Sequence, residues 1–128
     1  MVEEPMEVMY SQRSNLHTIT NSKWKENGFG IVKLMKHKGN GSIQFIMQHE
    51  KTKMIMAHFH VFYITDLRQC RNLQPTAGID KCWGWTAQDM SENPFGPPVT
   101  KTFGLQFDSA EMAVAFKVAF GDAKVRRL

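Results

Sequence analysis

The stretch from Trp24 to His49 constrains the fold more than any other part of this chain. Ile43, Phe45 and Met47 alternate with Gln44 and Gln48, a period typical of a β-strand with one buried face. Residues 30–37 are rich in side chains that strands tolerate. Between them, residues 38–41 supply glycine and asparagine, which accept the positive φ of a tight turn. The stretch therefore predicts a β-hairpin.

Composition places the chain among single soluble domains. It has 128 residues, 42% hydrophobic and 22% charged, with a net charge of +4. No apolar run reaches the length of a membrane span, and the start is acidic, unlike a signal peptide. We therefore expect an intracellular protein in which Cys70 and Cys82 stay reduced. The basic excess falls short of that of a typical nucleic-acid binder, and no membrane partner is expected.

Alternation recurs elsewhere, and about seven strands are predicted in all. Residues 9–20, 82–86 and 102–107 each predict a strand, as does 53–61 with its odd-numbered side chains facing the core. Residues 62–73 predict one short strand more. Gly28 and Gly30 indicate a turn, a bulge or a close backbone approach rather than a phosphate loop.

The last element is predicted to be a helix. Asp108 or Ser109 is placed to cap it, Glu111 fits a capping box begun by Asp108, and Gly121 is placed to fray or end it. An apolar face at helical spacing comprises Met112, Phe116, Ala119, Phe120 and Ala123.

The predicted fold class is mainly β with one C-terminal α-helix, a pleckstrin-homology-like barrel or sandwich capped by that helix. We divide the chain into an acidic N-terminal arm (1–9), a domain (10–123) and a basic tail (124–128).

The sequence offers little for catalysis. It has no nucleophile elbow, no phosphate loop and no paired carboxylates around an apolar cleft. His58 and His60 share a face, but the remaining histidines and cysteines lack zinc-type spacing. We therefore expect a binding protein, with no enzyme activity, cofactor or metal.

Several motifs resemble those of Ran-binding domains, in the same order. They are Glu7 to Tyr10, Arg13 to Leu16, the W-K-E-N-G-F-G turn at 24–30, the V-K-L-M-K-H-K strand at 32–38, residues 44–47, Lys51 with Thr52, the turn at 75–78 with Asp80, Trp83 with Trp85, and F-G-L-Q-F at 103–107. The resemblance covers residues 7–122 and is better to the small single-domain form, Ran-binding protein 1, than to a nucleoporin repeat.

The resemblance implies a partner and a mechanism. Family members have a pleckstrin-homology-like fold and bind the GTPase Ran in its GTP form. Ran's acidic C-terminal segment lies on a basic surface, while the domain's acidic arm reaches around Ran. The domain assists the GTPase-activating protein and helps release Ran-GTP from importin and exportin receptors. A cytoplasmic, nuclear-pore-proximal or shuttling location follows, with the free domain a monomer.

Partner-binding residues are carried over position by position. They are Glu4, Glu7, Arg13, Trp24, Lys25, Glu26, Lys33, Lys36, Lys38, Gln48, His49, His58 and Trp83. Gln48 and His49 stand where the family has an arginine pair, and Asn27 where its turn has an arginine. His58 falls at a family asparagine, and residues are inserted between Val61 and Pro75. Losing fixed cations predicts weaker binding of an acidic segment, and Arg68 and Arg71 in the insertion are expected to restore some of the lost charge.

Two other binding classes share this fold. A phosphoinositide-binding pleckstrin-homology module would use lysines near the first hairpin and bind anionic liposomes in a salt-sensitive way. An EVH1-like module would use Trp24 and Trp83 as a cradle for polyproline, so that a proline-rich peptide shifts tryptophan fluorescence.

Overall fold

The computed structural model describes residues 6–39, 41–61, 67–69, 81–93 and 95–125, with side chains left out at 68, 69, 124 and 125. Within these ranges the chain forms seven strands and then one helix. They are β1 (Met6–Thr20), β2 (Lys23–His37), β3 (Ile43–His49), β4 (Ile55–His60), β5 (Arg68–Gln69), β6 (Cys82–Asp89), β7 (Val99–Gln106) and α1 (Ala110–Val125). The predicted fold class, mainly β with a C-terminal helix, is confirmed.

The strands form one antiparallel sheet in the order β4-β3-β2-β1-β7-β6-β5. This sheet curls until β4 meets the end of β6. There the Met90 amide donates to the His58 carbonyl at 2.8 Å, and the His58 amide donates to Asp89 Oδ1 at 2.9 Å. These two bonds bring the curled sheet close to a closed barrel.

The predicted hairpin is present as β2 and β3. Ile43, Phe45 and Met47 are buried, and the His37 amide donates to the Ser42 carbonyl across the turn. Gly41 has a φ of +75°, as such a turn requires. Asn40 of this turn lies outside the described residues.

Gly28 and Gly30 serve a bulge and a close approach, two of the roles that their spacing predicted. The β1–β2 register shifts so that Leu16 faces Gly28 while His17 faces Glu26, and Gly28 has a φ of +117°. A Cβ on Gly30 would lie 2.4 Å from the Gln48 carbonyl oxygen, so only glycine fits there.

Aromatic rings fill the barrel. Trp85, 3% exposed, lies at ring-contact distance from Phe45, Phe59, Phe103, Phe116 and Phe120. Because the last two rings come from α1, the helix and the sheet share one core.

Two details of the helix prediction are wrong. The Ser109 hydroxyl caps the helix by accepting from the Met112 amide at 3.2 Å, so Glu111 stands one position too early for the third residue of a capping box. Gly121 does not end the helix, which continues to Val125. Burial of Phe120 and Ala123 on either side of Gly121 stabilises the last turn against the low helix propensity of glycine.

Two strand predictions also need correction. The first strand was predicted over residues 9–20, but β1 already begins at Met6 and pairs with β2 from there. Residues 6–9, which were assigned to the acidic arm, are therefore part of this strand. Ile55 is 43% exposed rather than in the core. A register shift in the β3–β4 ladder places Ile55 opposite exposed Gln48, whereas Ala57 faces buried Met47. Most of the segment 62–73 and the turn at 75–78 lie outside the described residues.

Candidate partner-binding surface

The side chains of β1 to β4 that point away from the core form an open surface, which we call the outer face. Along β2 these side chains alternate with the buried Val32 and Leu34. Lys33 lies between Ser11 of β1 and Ile46 of β3, and Met35 lies opposite Gln44. Its members among the described residues include Arg13, Trp24, Glu26, Phe29, Ile31, Lys33, Met35, Gln44, Ile46, Gln48 and His58. Most of them are half-buried or exposed, which leaves the surface accessible.

The structure distributes the candidate lysines over two sides of β2. Lys33 belongs to the outer face, whereas Lys36 lies opposite Ile43 and Glu7, whose positions have the other orientation. Lys38 is exposed in the turn, and Lys25 is exposed near the opposite end of the strand. At about 3.3 Å per residue, Lys25 and Lys36 are roughly 35 Å apart. The cations are therefore spread along both sides of one extended strand and do not form a compact patch.

Arg13 is held in place by two neighbours. Its Nε and Nη2 donate to the Glu50 carboxylate at 2.7 and 3.1 Å, and its guanidinium carbon lies 4.2 Å from the centre of the Phe29 ring. The hydrogen bond from Arg13 lowers the pKa of Glu50. With both carboxylate oxygens engaged, Arg13 chiefly positions Glu50 and Phe29.

Gln48 and His49 organise the turn that follows β3. The His49 ring accepts from the Lys51 and Thr52 amides at its Nδ1, at 3.1 and 3.2 Å. The Gln48 side chain donates to the Lys53 carbonyl at 2.8 Å. A Cβ on Gly28 would lie 3.1 Å from His49 Nε2, so the ring packs on the glycine of the bulge. These contacts give both side chains a structural role, Gln48 on the outer face and His49 with the other orientation.

His58 belongs to a polar cluster that sequence reasoning did not find. Its Nε2 lies 2.6 Å from Gln44 Oε1, and burial, then the neighbouring His60, lowers its pKa. Its backbone amide bonds to Asp89, whose fully buried carboxylate also accepts from Ser91 Oγ at 2.6 Å and Lys101 Nζ at 3.1 Å. No sequence signal marks Asp89, since its partners lie up to 31 residues away.

Three of the remaining predicted partner-binding residues lie in β1 or β2. Trp24 is half-buried beside Ile19, which is 42% exposed, at the far end of the β1–β2 hairpin. Glu26 accepts from the Asn15 side-chain amide. Glu7 lies in β1 opposite Lys36. Glu4 lies outside the described residues.

Trp83 is corrected from a surface contact to a core residue. It is 8% exposed, its indole Nε1 donates to the Ala113 carbonyl at 2.8 Å, and Lys117 lies 4.8 Å above its ring. Strand β6 turns both tryptophans inward, where α1 covers Trp83. This ring has no face left for a polyproline cradle.

The described residues contain no group of three or more histidine, cysteine or acidic side chains arranged to hold a metal ion. Among them, no helix combines the length and apolarity needed to cross a membrane. What the fold presents is a sheet surface of mixed charge and apolar character, so fold and surface together define a pleckstrin-homology-like binding module.

Comparison with known proteins gives the particular family. The RanBP1 domain model matches residues 1–126, and the chain belongs to this family of Ran-binding domains. The family is a binding module and not a catalytic domain. The resemblance noted from the motifs is thereby confirmed, while the preference for the small single-domain form stays a prediction.

Relatives and solved structures agree with this assignment. The chain is 32% identical to human E3 SUMO-protein ligase RanBP2 over 124 residues, which cover 95% of this chain and 4% of that protein. It is also 32% identical to human RanBP2-like and GRIP domain-containing protein 3, with 95% and 6% covered. This chain thus corresponds to a small part of those proteins. The Ran-binding domain of Nup2 from Ashbya gossypii has the same fold, with a TM-score of 0.75 at 15% identity over 98% of this chain and 100% of that one.

Proposed function

We propose that this domain binds Ran in its GTP form by docking Ran's acidic C-terminal segment across the outer face. The accessible outer face, with Lys33 at its centre and Lys38 at its turn end, is the observation that carries the proposal. A segment in extended conformation matches cations spread along a strand better than a compact anion does.

Apolar contacts complete the proposed surface. Trp24 and Ile19 offer partly exposed apolar area at one end, and aromatic side chains are frequent anchors in interfaces. Ile46 lies opposite Lys33 on β3, and Met35 lies two residues further along β2; both lower the local dielectric around Lys33. Lys36 faces Glu7 instead, so we assign it a smaller part in binding.

The proposed role is regulatory. The predicted acidic arm would reach around Ran, and the complex would raise the efficiency of the GTPase-activating protein. It would also release Ran-GTP from importin and exportin receptors, close to the nuclear pore or while shuttling. The domain itself hydrolyses nothing in this scheme.

Binding to Ran in each nucleotide state tests the proposal. We expect immobilised domain to retain Ran-GTP, to retain little Ran-GDP, and to lose Ran-GTP when Ran's acidic tail is deleted, because the tail supplies the charge that the lysines attract. Ran-GTP with its tail intact is the positive control. Equal retention of both nucleotide forms would exclude the mechanism.

Charge reversal at Lys33 tests the outer face itself. We expect Lys33→Glu to weaken Ran-GTP binding about tenfold, since it removes one attraction and adds one repulsion of up to about 1 kcal/mol each. Lys36→Glu is the matched control, three residues away on the same strand with the other orientation. Titration calorimetry measures the affinity of both variants for Ran-GTP. An equal loss of affinity in both would mean that net charge, and not the outer face, carries the binding.

A further inference from the structure

A second site lies where β1, β2, β7 and the start of α1 converge. Asn15 of β1 is in register with Phe29 of β2 on one side and with Gln106 of β7 on the other. Together with Glu26 and Asp108, these residues line a cleft of about 230 Å³. The cleft is open to solvent but has a buried floor.

The floor of the cleft consists of hydrogen-bond acceptors. Asn15 is 4% exposed, and its Nδ2 donates to Glu26 Oε2, which fixes the orientation of the amide. Its Oδ1 is buried and accepts no hydrogen bond from the described residues, and the same holds for Gln106 Oε1. Buried polar atoms in folded proteins nearly always have a partner, so the Asn15 oxygen is available to a donor that enters the cleft.

Charge narrows the kind of donor that fits. Glu26 and Asp108 add two carboxylates beside the two amide oxygens, so the lining favours a cation with several N–H groups. Arg13, whose guanidinium interacts electrostatically with Asp108, is already engaged by both oxygens of Glu50. Arg13 therefore borders the cleft, over the Phe29 ring, but donates to neither Asn15 Oδ1 nor Gln106 Oε1, which have no partner among the described residues.

We propose that this cleft is a recognition pocket for the guanidinium group of an arginine on a protein partner. A guanidinium carries five donors in a planar fork that matches carboxylate oxygens, and its weak hydration suits the apolar wall that Phe29 supplies. A calcium ion would instead require six to eight oxygen ligands, more than these four side chains offer as single ligands. The pocket shares Glu26 and Phe29 with the outer face, but none of the lysines proposed to hold an acidic segment lines it, so it stands even if that proposal fails.

Side-chain amide signals in ¹⁵N NMR test the pocket with the whole chain. We expect Nα-acetyl-arginine methylamide to shift the Asn15 and Gln106 amide signals in a saturable way. The citrulline analogue, which has the same shape without the charge, should shift them little. Equal shifts with citrulline, or saturable shifts with calcium chloride and none with the arginine probe, would overturn the proposal.

Variants of the two carboxylates provide a second test of the pocket. Glu26→Gln with Asp108→Asn should weaken binding of the arginine probe about tenfold or more, since both charges go while the acceptor for Asn15 Nδ2 remains. Glu111→Gln removes an exposed acid in the first turn of α1 and should leave binding unchanged. An undiminished response in the double variant would show that the pocket does not recognise the probe. Thermal unfolding of each variant confirms that the fold persists.

Discussion

Replacing Phe116 with alanine is expected to lower the free energy of unfolding by about 3–5 kcal/mol, the largest single loss that we foresee in the core. Phe116 is 0% exposed, and its ring lies 5.4 Å from Phe107 and 6.0 Å from Trp85, centre to centre. The Phe116 side chain packs α1 against the rings of the barrel. Its removal therefore leaves a cavity in the core and weakens the packing of the helix. Urea denaturation followed by tryptophan fluorescence measures the loss.

Val118→Ala is the matched control for this prediction. Val118 lies two residues further along the same helix and is 57% exposed, so its truncation should change stability by less than about 0.5 kcal/mol. If Phe116→Ala and Val118→Ala cost the same, the helix would not be part of the core, and the description of α1 as the cap of the barrel would be wrong.

Replacing Asp89 with alanine is expected to cost about 3–5 kcal/mol, because it leaves the partly buried His58 amide without its acceptor and leaves Lys101 with only the exposed Glu92 as a partner. The Asp89 side chain is 0% exposed and accepts from the His58 amide and from Lys101 Nζ. It joins β4 to β6 at the point where the sheet closes, so its loss should open the barrel locally. Chemical denaturation gives the cost, and hydrogen exchange at the His58 amide should speed up.

Glu92→Ala provides the comparison for Asp89. Glu92 also contacts Lys101, at 3.0 Å, but its side chain is 66% exposed, and such ion pairs contribute at most about 1 kcal/mol. Asp89→Asn should recover part of the loss, because an amide oxygen still accepts from the His58 amide. Near-equal effects of Asp89→Ala and Glu92→Ala would contradict the proposed closing role of the buried carboxylate.

Local patterns predicted the elements because each depends on neighbours in sequence. The alternation from Ile43 to Met47 and the spacing of Phe116 and Phe120 both translate directly into buried faces. The burial of Ile55 was predicted wrongly because the pairing of two strands is shifted by one residue. The irregularity in the β3–β4 ladder turned Ile55 outward, and no local pattern announces such a shift.

The candidate site was predictable in part. The motifs located the lysines and the Trp24 turn, but not which side of β2 each lysine occupies relative to its neighbours, nor the contacts that engage Arg13 and His49. The resemblance to the family made Trp83 a predicted partner-binding residue. Only the position of Ala113 and Lys117 on α1 decided for the core.

By itself, the sequence determined the order of strands and helix, the hairpin turn, the inward face of α1 and the family, since short-range periodicity and motif spacing encode all of these. The tertiary structure alone decided how β4 meets β6 through Asp89, and how Asn15, Gln106 and two carboxylates come to line one cleft. The physical reason is that these groups lie tens of residues apart and meet only when the sheet curls, so their contacts depend on the packed core as a whole.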